Sequence, residues 1–146
     1  MFMLALDAES AFDRCLRQIL CSELYKADMP GSALLFIDNR LANRKTVYQW
    51  DGAMMGPASD ETGFEQGGIN SSDYYKLYNN SQLNDAQSSQ LGVNIESSVI
   101  SAVGQADDVI LLVNDLYDLR LLVKLTENYC EKFRVKLEPG KTKLVS

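Results

Sequence analysis

Val99-Ile100-Ser101-Ala102-Val103-Gly104-Gln105-Ala106-Asp107-Asp108-Val109-Ile110-Leu111-Leu112-Val113 is the stretch on which the fold turns. Two apolar, β-branched runs flank a short polar break at residues 104–108. Runs of this length around a Gly-containing turn predict a β-hairpin. Both are too apolar to alternate cleanly, so at least one face of the hairpin is expected to be covered. The tip carries two adjacent carboxylates, Asp107 and Asp108. Like charges this close repel, and partial burial raises the cost. A bound divalent cation would remove that cost, because hard ions take carboxylate oxygens. The plainer reading is a solvated turn, where Asp is common. The hairpin alone does not separate the two.

Working outward, the chain opens with the apolar run of residues 2–7, which ends at Asp7 and reads as a buried strand. Phe12, Cys15, Leu16, Ile19 and Leu20 then recur at helical spacing and predict one amphipathic helix from about Glu9 to Tyr25. Asp7 therefore stands at a strand-to-helix corner, either as an acid near a helix start or aimed into a cleft. Asp13, one turn in, reads as a surface or dipole charge. Pro30-Gly31 breaks the chain before a second helix over residues 32–42. Asn43-Arg44-Lys45 is a small basic patch, residues 46–50 are strand-like, Asp51-Gly52 is a turn and residues 56–60 read as loop.

Gly63 to Asp73 is glycine-rich and ends in Asn70-Ser71-Ser72-Asp73, which caps a predicted helix running to about Leu83. Residues 84–95 are polar and read as loop. After the hairpin, Leu116, Leu119, Leu122, Val123, Thr126, Tyr129 and Phe133 space a third amphipathic helix, capped near Asn114 or Asp115. Arg134 to Leu137 reads as a short strand, Glu138-Pro139-Gly140 as a turn, and a further strand is expected from Lys141. Opening and closing inside strands suggests a piece of a larger protein.

Composition narrows the chemistry. The 146 residues fit one domain, 46% hydrophobic and 23% charged, with no run near the ~20 apolar residues of a membrane span. Cys15, Cys21 and Cys130 lack metal spacing and read as reduced thiols of a cytoplasmic or nuclear protein. There is no His, which excludes His-based relays and Cys/His zinc sites. The net charge of −6 argues against autonomous nucleic-acid binding. What remains are Asp7, Asp107 and Asp108. If the opening strand lies beside the hairpin, the three converge, and three carboxylates can hold two divalent ions ~3.5–4 Å apart for phosphoryl transfer. That chemistry needs positioning and charge neutralisation more than a protein base.

Taken in order, these residues resemble the reverse transcriptases. Leu6-Asp7-Ala8-Glu9-Ser10-Ala11-Phe12-Asp13 looks like motif A, Gly63 to Ser71 around Gln66-Gly67 like motif B, Ala106-Asp107-Asp108 like motif C, and Lys141-Thr142 like motif D. The Ala-Phe-Asp form of motif A is closest to the non-long-terminal-repeat retrotransposon branch. The resemblance implies an α+β polymerase palm, a small antiparallel sheet with helices packed on one face, spanning residues 1–146 without fingers or thumb. It implies that Asp7, Asp107 and Asp108 are catalytic and ligate two Mg²⁺ ions (or Mn²⁺), with the Ala8 carbonyl completing a metal shell. Phe12 would lie under the incoming sugar, Gln66 and Gly67 would line the nucleotide and template side, and Lys141 would assist pyrophosphate departure. The implied partners are an RNA template, a DNA primer, deoxynucleoside triphosphates and the rest of a polyprotein, with fingers, thumb and endonuclease; no membrane is expected.

The pattern also departs from the family. Gln105 stands where an aromatic is usual, Glu65 where an Arg commonly precedes Gln-Gly, and Gly68-Ile69-Asn70 lacks the usual proline. Two rival readings therefore stand beside the enzyme: a non-catalytic palm remnant of a decayed retrotransposon, acting only as a folded or interaction module, and a phospho-receiver domain, whose acidic pair belongs near the chain start and not late.

Overall fold

The computed structural model describes residues 1–42, 44–59, 62–65 and 68–145. Its centre is an antiparallel sheet of four strands in the order β6-β7-β1-β8. These are β1 (Phe2–Leu6), β6 (Ala102–Gln105), β7 (Asp108–Val113) and β8 (Lys143–Val145). The opening strand thus lies between one arm of the hairpin and the last strand. Its register with β7 runs from Phe2 opposite Val113 to Leu6 opposite Val109. Cross-strand partners share a face, so the register collects Leu6, Val109, Leu111 and Val113 on one side, where all four are buried. Leu119, Leu122 and Ala86 from the helices close over them. The expected antiparallel sheet with helices on one face is what the chain forms.

Among the described residues five helices carry the rest: α1 (Ala11–Arg14), α2 (Arg17–Lys26), α3 (Gly31–Ala42), α4 (Ser71–Ser88) and α5 (Leu116–Phe133). The first half of α4 and the last half of α5 share a second core of Cys15, Leu20, Leu24, Ile37, Phe64, Tyr75, Tyr78, Tyr129 and Phe133. The opposite halves share the sheet core, so the two helices run antiparallel. Where they cross, the buried Gln82 Nε2 donates to Thr126 Oγ1 at 3.5 Å. Asp115 caps α5, its carboxylate accepting from the N–H groups of Tyr117 and Asp118 at 2.8 and 2.9 Å.

Several boundaries differ from expectation. The single helix over residues 9–25 is two, because Cys15 and Leu16 are extended between α1 and α2. The Phe12 carbonyl accepts from Phe64 N–H and that of Cys15 from Gly63 N–H, both at 2.8 Å. A docked loop has taken carbonyls that a continuous helix would use internally. Residues 53–59 are a strand, β3 (Ala53–Ser59), paired with β2 (Lys45–Trp50) around a turn in which Asp51 and Gly52 both have positive φ. Nearly all of this hairpin is exposed, Trp50 and Met54 included. The helix expected to end at Leu83 continues to Ser88, since Ala86 gives its polar last turn a buried contact. Val99 and Ile100 do not extend the central hairpin. They belong to a separate pair, β4 (Val93–Ile95) with β5 (Ser98–Ile100), and the chain turns into β6 at Ser101. Residues 134–137 contribute only a single bridge, Leu137 with Ala8. All three cysteines are free thiols. Among the described residues no helix is long and apolar enough to cross a membrane.

Candidate active site

Asp7 follows the last residue of β1, and Asp108 is the first residue of β7. Leu6 pairs with Val109, so one further step of the same register sets Asp7 opposite Asp108. Leu6 and Val109 face the helices. By alternation Asp7 and Asp108 fall on the open face of the sheet. Asp7 is no helix cap, since α1 begins at Ala11 with Ser10 in the cap position. Asp13 is an exposed charge in the first turn of that helix.

Asp107 sits differently. Gln105 pairs with Asp108, so Ala106 and Asp107 form a two-residue loop, with Ala106 at φ 54°. The Ala106 carbonyl accepts from Asn79 Nδ2 of α4 at 3.4 Å. One turn earlier on α4 is Tyr75, buried, whose phenol is pushed well above its ordinary value by burial first and also by the negative charge of Asp107. The loop is therefore seated against α4, with Asp107 close enough to Tyr75 for its charge to be felt. The register brings the three carboxylates to one end of the sheet. It does not gather them: among the described residues no three Asp, Glu, Cys or His side chains form a group that could hold a metal ion.

A strap from the end of α5 passes beside the strand end. Arg134, at φ 56°, turns the chain out of the helix. Glu9 N–H then donates to the Lys136 carbonyl at 2.7 Å, and Glu138 N–H to the Asp7 carbonyl at 2.8 Å, on either side of the Ala8–Leu137 bridge. The Glu9 carboxylate is held below its usual range, first by Lys136 and then by Arg14, which lies 3.4 Å away. Beyond the strap, Lys141 Nζ lies 3.3 Å from Asp7 Oδ2.

Ala8 is buried beneath the strap. Phe12 is half-buried, with its ring 4.9 Å from that of Tyr75 and tilted 32° to it. Gln66 and Gly67 lie outside the described residues. Their loop is described on both sides. Gly63 has φ +81°, and a Cβ there would come within 2.7 Å of the Asp13 backbone, so only glycine docks. Thr62 Oγ1 donates to the Asp13 carbonyl at 3.0 Å, and Arg44 donates to the carbonyls of Gly63 and Thr62. Glu65 faces Arg40 across 3.6 Å. Sequence reasoning missed Asn79, which holds the acidic turn through the Ala106 carbonyl, and Tyr75, buried one turn earlier on the same helix. Their spacing of four on one helix was the available signal, and its meaning depended on knowing which turn lay above it.

The sequence matches the model of the family described as reverse transcriptase (RNA-dependent DNA polymerase) over residues 1–146. The chain belongs to the reverse transcriptase family. Among solved structures, this reverse transcriptase chain is similar to apo telomerase from Candida tropicalis truncated from its C-terminal domain, at 12% identity and a TM-score of 0.60. It is equally similar to telomerase from Candida albicans in complex with a TWJ fragment of telomeric RNA, at 14% identity and 0.60. Each likeness covers 99% of this chain but only 30% and 27% of the telomerase chains, and at these identities it shows the fold alone. No curated protein matches the sequence. The mixed sheet-and-helix fold is thus that of a reverse transcriptase palm.

Proposed function

We propose that this chain is the catalytic palm of an RNA-directed DNA polymerase, which extends a DNA primer on an RNA template from deoxynucleoside triphosphates. The observation that carries the reading is the β1–β7 register, which ends with Leu6 opposite Val109 and, carried one step further, sets Asp7 opposite Asp108 with Asp107 in the adjoining turn. Like charges directly opposite on paired strands destabilise the pairing, and a cation between them relieves this. The donors are all carboxylate oxygens, which suits Mg²⁺ or Mn²⁺ and not a thiolate- or imidazole-seeking metal. Asp7, Asp107 and Asp108 would hold the ions. When bound, two such ions activate the primer 3′-hydroxyl and neutralise the departing pyrophosphate.

The chain's own residues do the positioning. The strap fixes Asp7 through Glu138 N–H, and Asn79 fixes the turn that carries Asp107. Phe12, backed by Tyr75, has the bulk to reject a 2′-hydroxyl under an incoming sugar. The family resemblance assigns Gln66 and Gly67 to the nucleotide and template side and Lys141 to the triphosphate. The Ala11-Phe12-Asp13 form supports a non-long-terminal-repeat retrotransposon origin, and the thiols a cytoplasmic or nuclear setting. With a net charge of −6, the palm depends on fingers and thumb for its grip on a hybrid's phosphates, so the chain alone extends primers weakly or not at all.

Mn²⁺ titration followed by NMR tests the site directly. Paramagnetic broadening centred on the amides of residues 6–8 and 106–109, lost in Asp107→Asn, is the expected result. Uniform or absent broadening at millimolar Mn²⁺ would remove the polymerase reading. The second reading, a non-catalytic palm module, draws on the ungathered carboxylates and on Glu65 in place of a basic residue. It predicts that same absence.

A further inference from the structure

The segment that carries Lys141 is pinned on both sides of Asp7. Before it, Glu138 N–H donates to the Asp7 carbonyl and Leu137 bridges Ala8. After it, Lys143 pairs with Ala5 as β8 joins the outer edge of β1. Between these anchors the chain turns tightly: the Glu138 carbonyl accepts from the N–H groups of Lys141 and Thr142 at 3.1 Å each, and from Thr142 Oγ1 at 3.1 Å. A short closed turn, fixed at both ends to the strand that leads to Asp7, keeps an ammonium beside that carboxylate. Nζ lies 3.3 Å from Oδ2, with Lys141 exposed and Asp7 about a quarter exposed.

We propose that Lys141 is a tethered counter-ion at Asp7: its ammonium and a divalent cation compete for the same carboxylate, so metal binds by displacing the lysine. This rests on the reading of Asp7 as a metal ligand, and it gives Lys141 a task before any nucleotide arrives. The ion pair offsets the repulsion between Asp7 and Asp108. It also ties two events together. A cation that takes Asp7 frees an ammonium at the same sheet edge, where an anionic phosphate would approach. Lys141 is in this sense a positioning residue, acting through Asp7. Because the pair is exposed and screened, its hold is modest, and the competition amounts to about two- to fivefold in metal affinity.

The test is Mn²⁺ affinity of the whole chain, read from broadening at Asp7 and Val109, with Mg²⁺ as competitor. Lys141→Gln removes the competitor. Lys143→Gln is the charge control, since Lys143 opposite Ala5 lies by alternation on the same open face as Asp7. Asp7→Asn removes the shared ligand. Expected are a two- to fivefold tighter Mn²⁺ constant for Lys141→Gln, a clearly smaller gain for Lys143→Gln, and loss of the site in Asp7→Asn. Equal gains in the two lysine variants, or none in Lys141→Gln, would overturn the inference and leave the metal site standing. Absence of localised broadening in every variant, with unchanged circular dichroism, would overturn the metal-ligand reading and the inference with it.

Discussion

Removing one oxygen atom from Tyr78 should loosen the junction of α2, α4 and α5. Tyr78 is fully buried in the middle of the aromatic core. Its hydroxyl accepts from Leu16 N–H at 3.3 Å, in the break between α1 and α2. It donates to the Phe133 carbonyl at 2.6 Å, at the last residue of α5. Tyr78→Phe keeps the ring and its edge contact with Phe133, 5.4 Å between centroids, and deletes both hydrogen bonds. Each buried partner left unsatisfied costs about 1–3 kcal/mol. The Leu16 bond is long and only partly buried, so it sits at the low end, near ~1 kcal/mol. The Phe133 carbonyl ends a helix, and its partner is short and buried, so about 2 kcal/mol is the fitting share. The sum is about 3 kcal/mol, a large part of the 5–15 kcal/mol of a typical domain. Urea unfolding measures it. With an m-value of about 2 kcal/mol/M, the midpoint falls by about 1.5 M with m unchanged. A shift below about 0.3 M would show that Leu16 and Phe133 find other partners, and that the hydroxyl does not hold α2, α4 and α5 together.

Three further outcomes follow from local geometry. Gly63→Ala meets both a positive φ and the Asp13 backbone; it should lower stability by more than the ~1 kcal/mol of an ordinary left-handed residue, and a melting temperature within 2 °C of the parent, as roughly expected for a neutral change, would refute the docking. Ser101 is fully buried, and its Oγ has no hydrogen-bond partner among the described residues; Ser101→Ala should be neutral or stabilising by up to about 1 kcal/mol in urea unfolding, and a loss would reveal a partner for that hydroxyl. Burial pushes the Cys130 thiol up to about 11 and the Tyr78 phenol up to about 12. The folded chain thus keeps both neutral where the unfolded chain ionises, so their contribution is intact below about pH 8.5 and is lost as pH rises through 11 and 12. The melting temperature should fall steadily above pH 9, and a flat profile to pH 11 would refute it.

The sheet was readable because β1 is an unbroken apolar run and the arms of the central hairpin are apolar and partly β-branched around a turn that carries the acids. What stayed hidden was whatever depended on partners far away in sequence. Phe12, Cys15, Leu16, Ile19 and Leu20 keep helical spacing straight through the break at Cys15–Leu16, so no local signal could divide them. The division comes from Gly63 and Phe64, which take carbonyls fifty residues away. Val99 and Ile100 are as apolar as the strand that follows, and pairing with β4 assigns them elsewhere.

The candidate site shows the same limit in a sharper form. Side chains alternate along a strand, so of two adjacent acids only one can share a face with Asp7, and the choice is a matter of parity. The sequence carries no information about that parity until Leu6 is known to oppose Val109. The register selects Asp108 and leaves Asp107 in the turn that Asn79 of α4 holds through the Ala106 carbonyl. The reach of Lys141 is hidden for a related reason. Its neighbours read as a solvated strand end, and it meets Asp7 only because hydrogen bonds on both sides of Asp7 fold residues 137–143 around that strand end. Three acids can therefore be found from their spacing, but which of the adjacent pair stands opposite Asp7, and that Lys141 already faces it there, is decided by strand pairing.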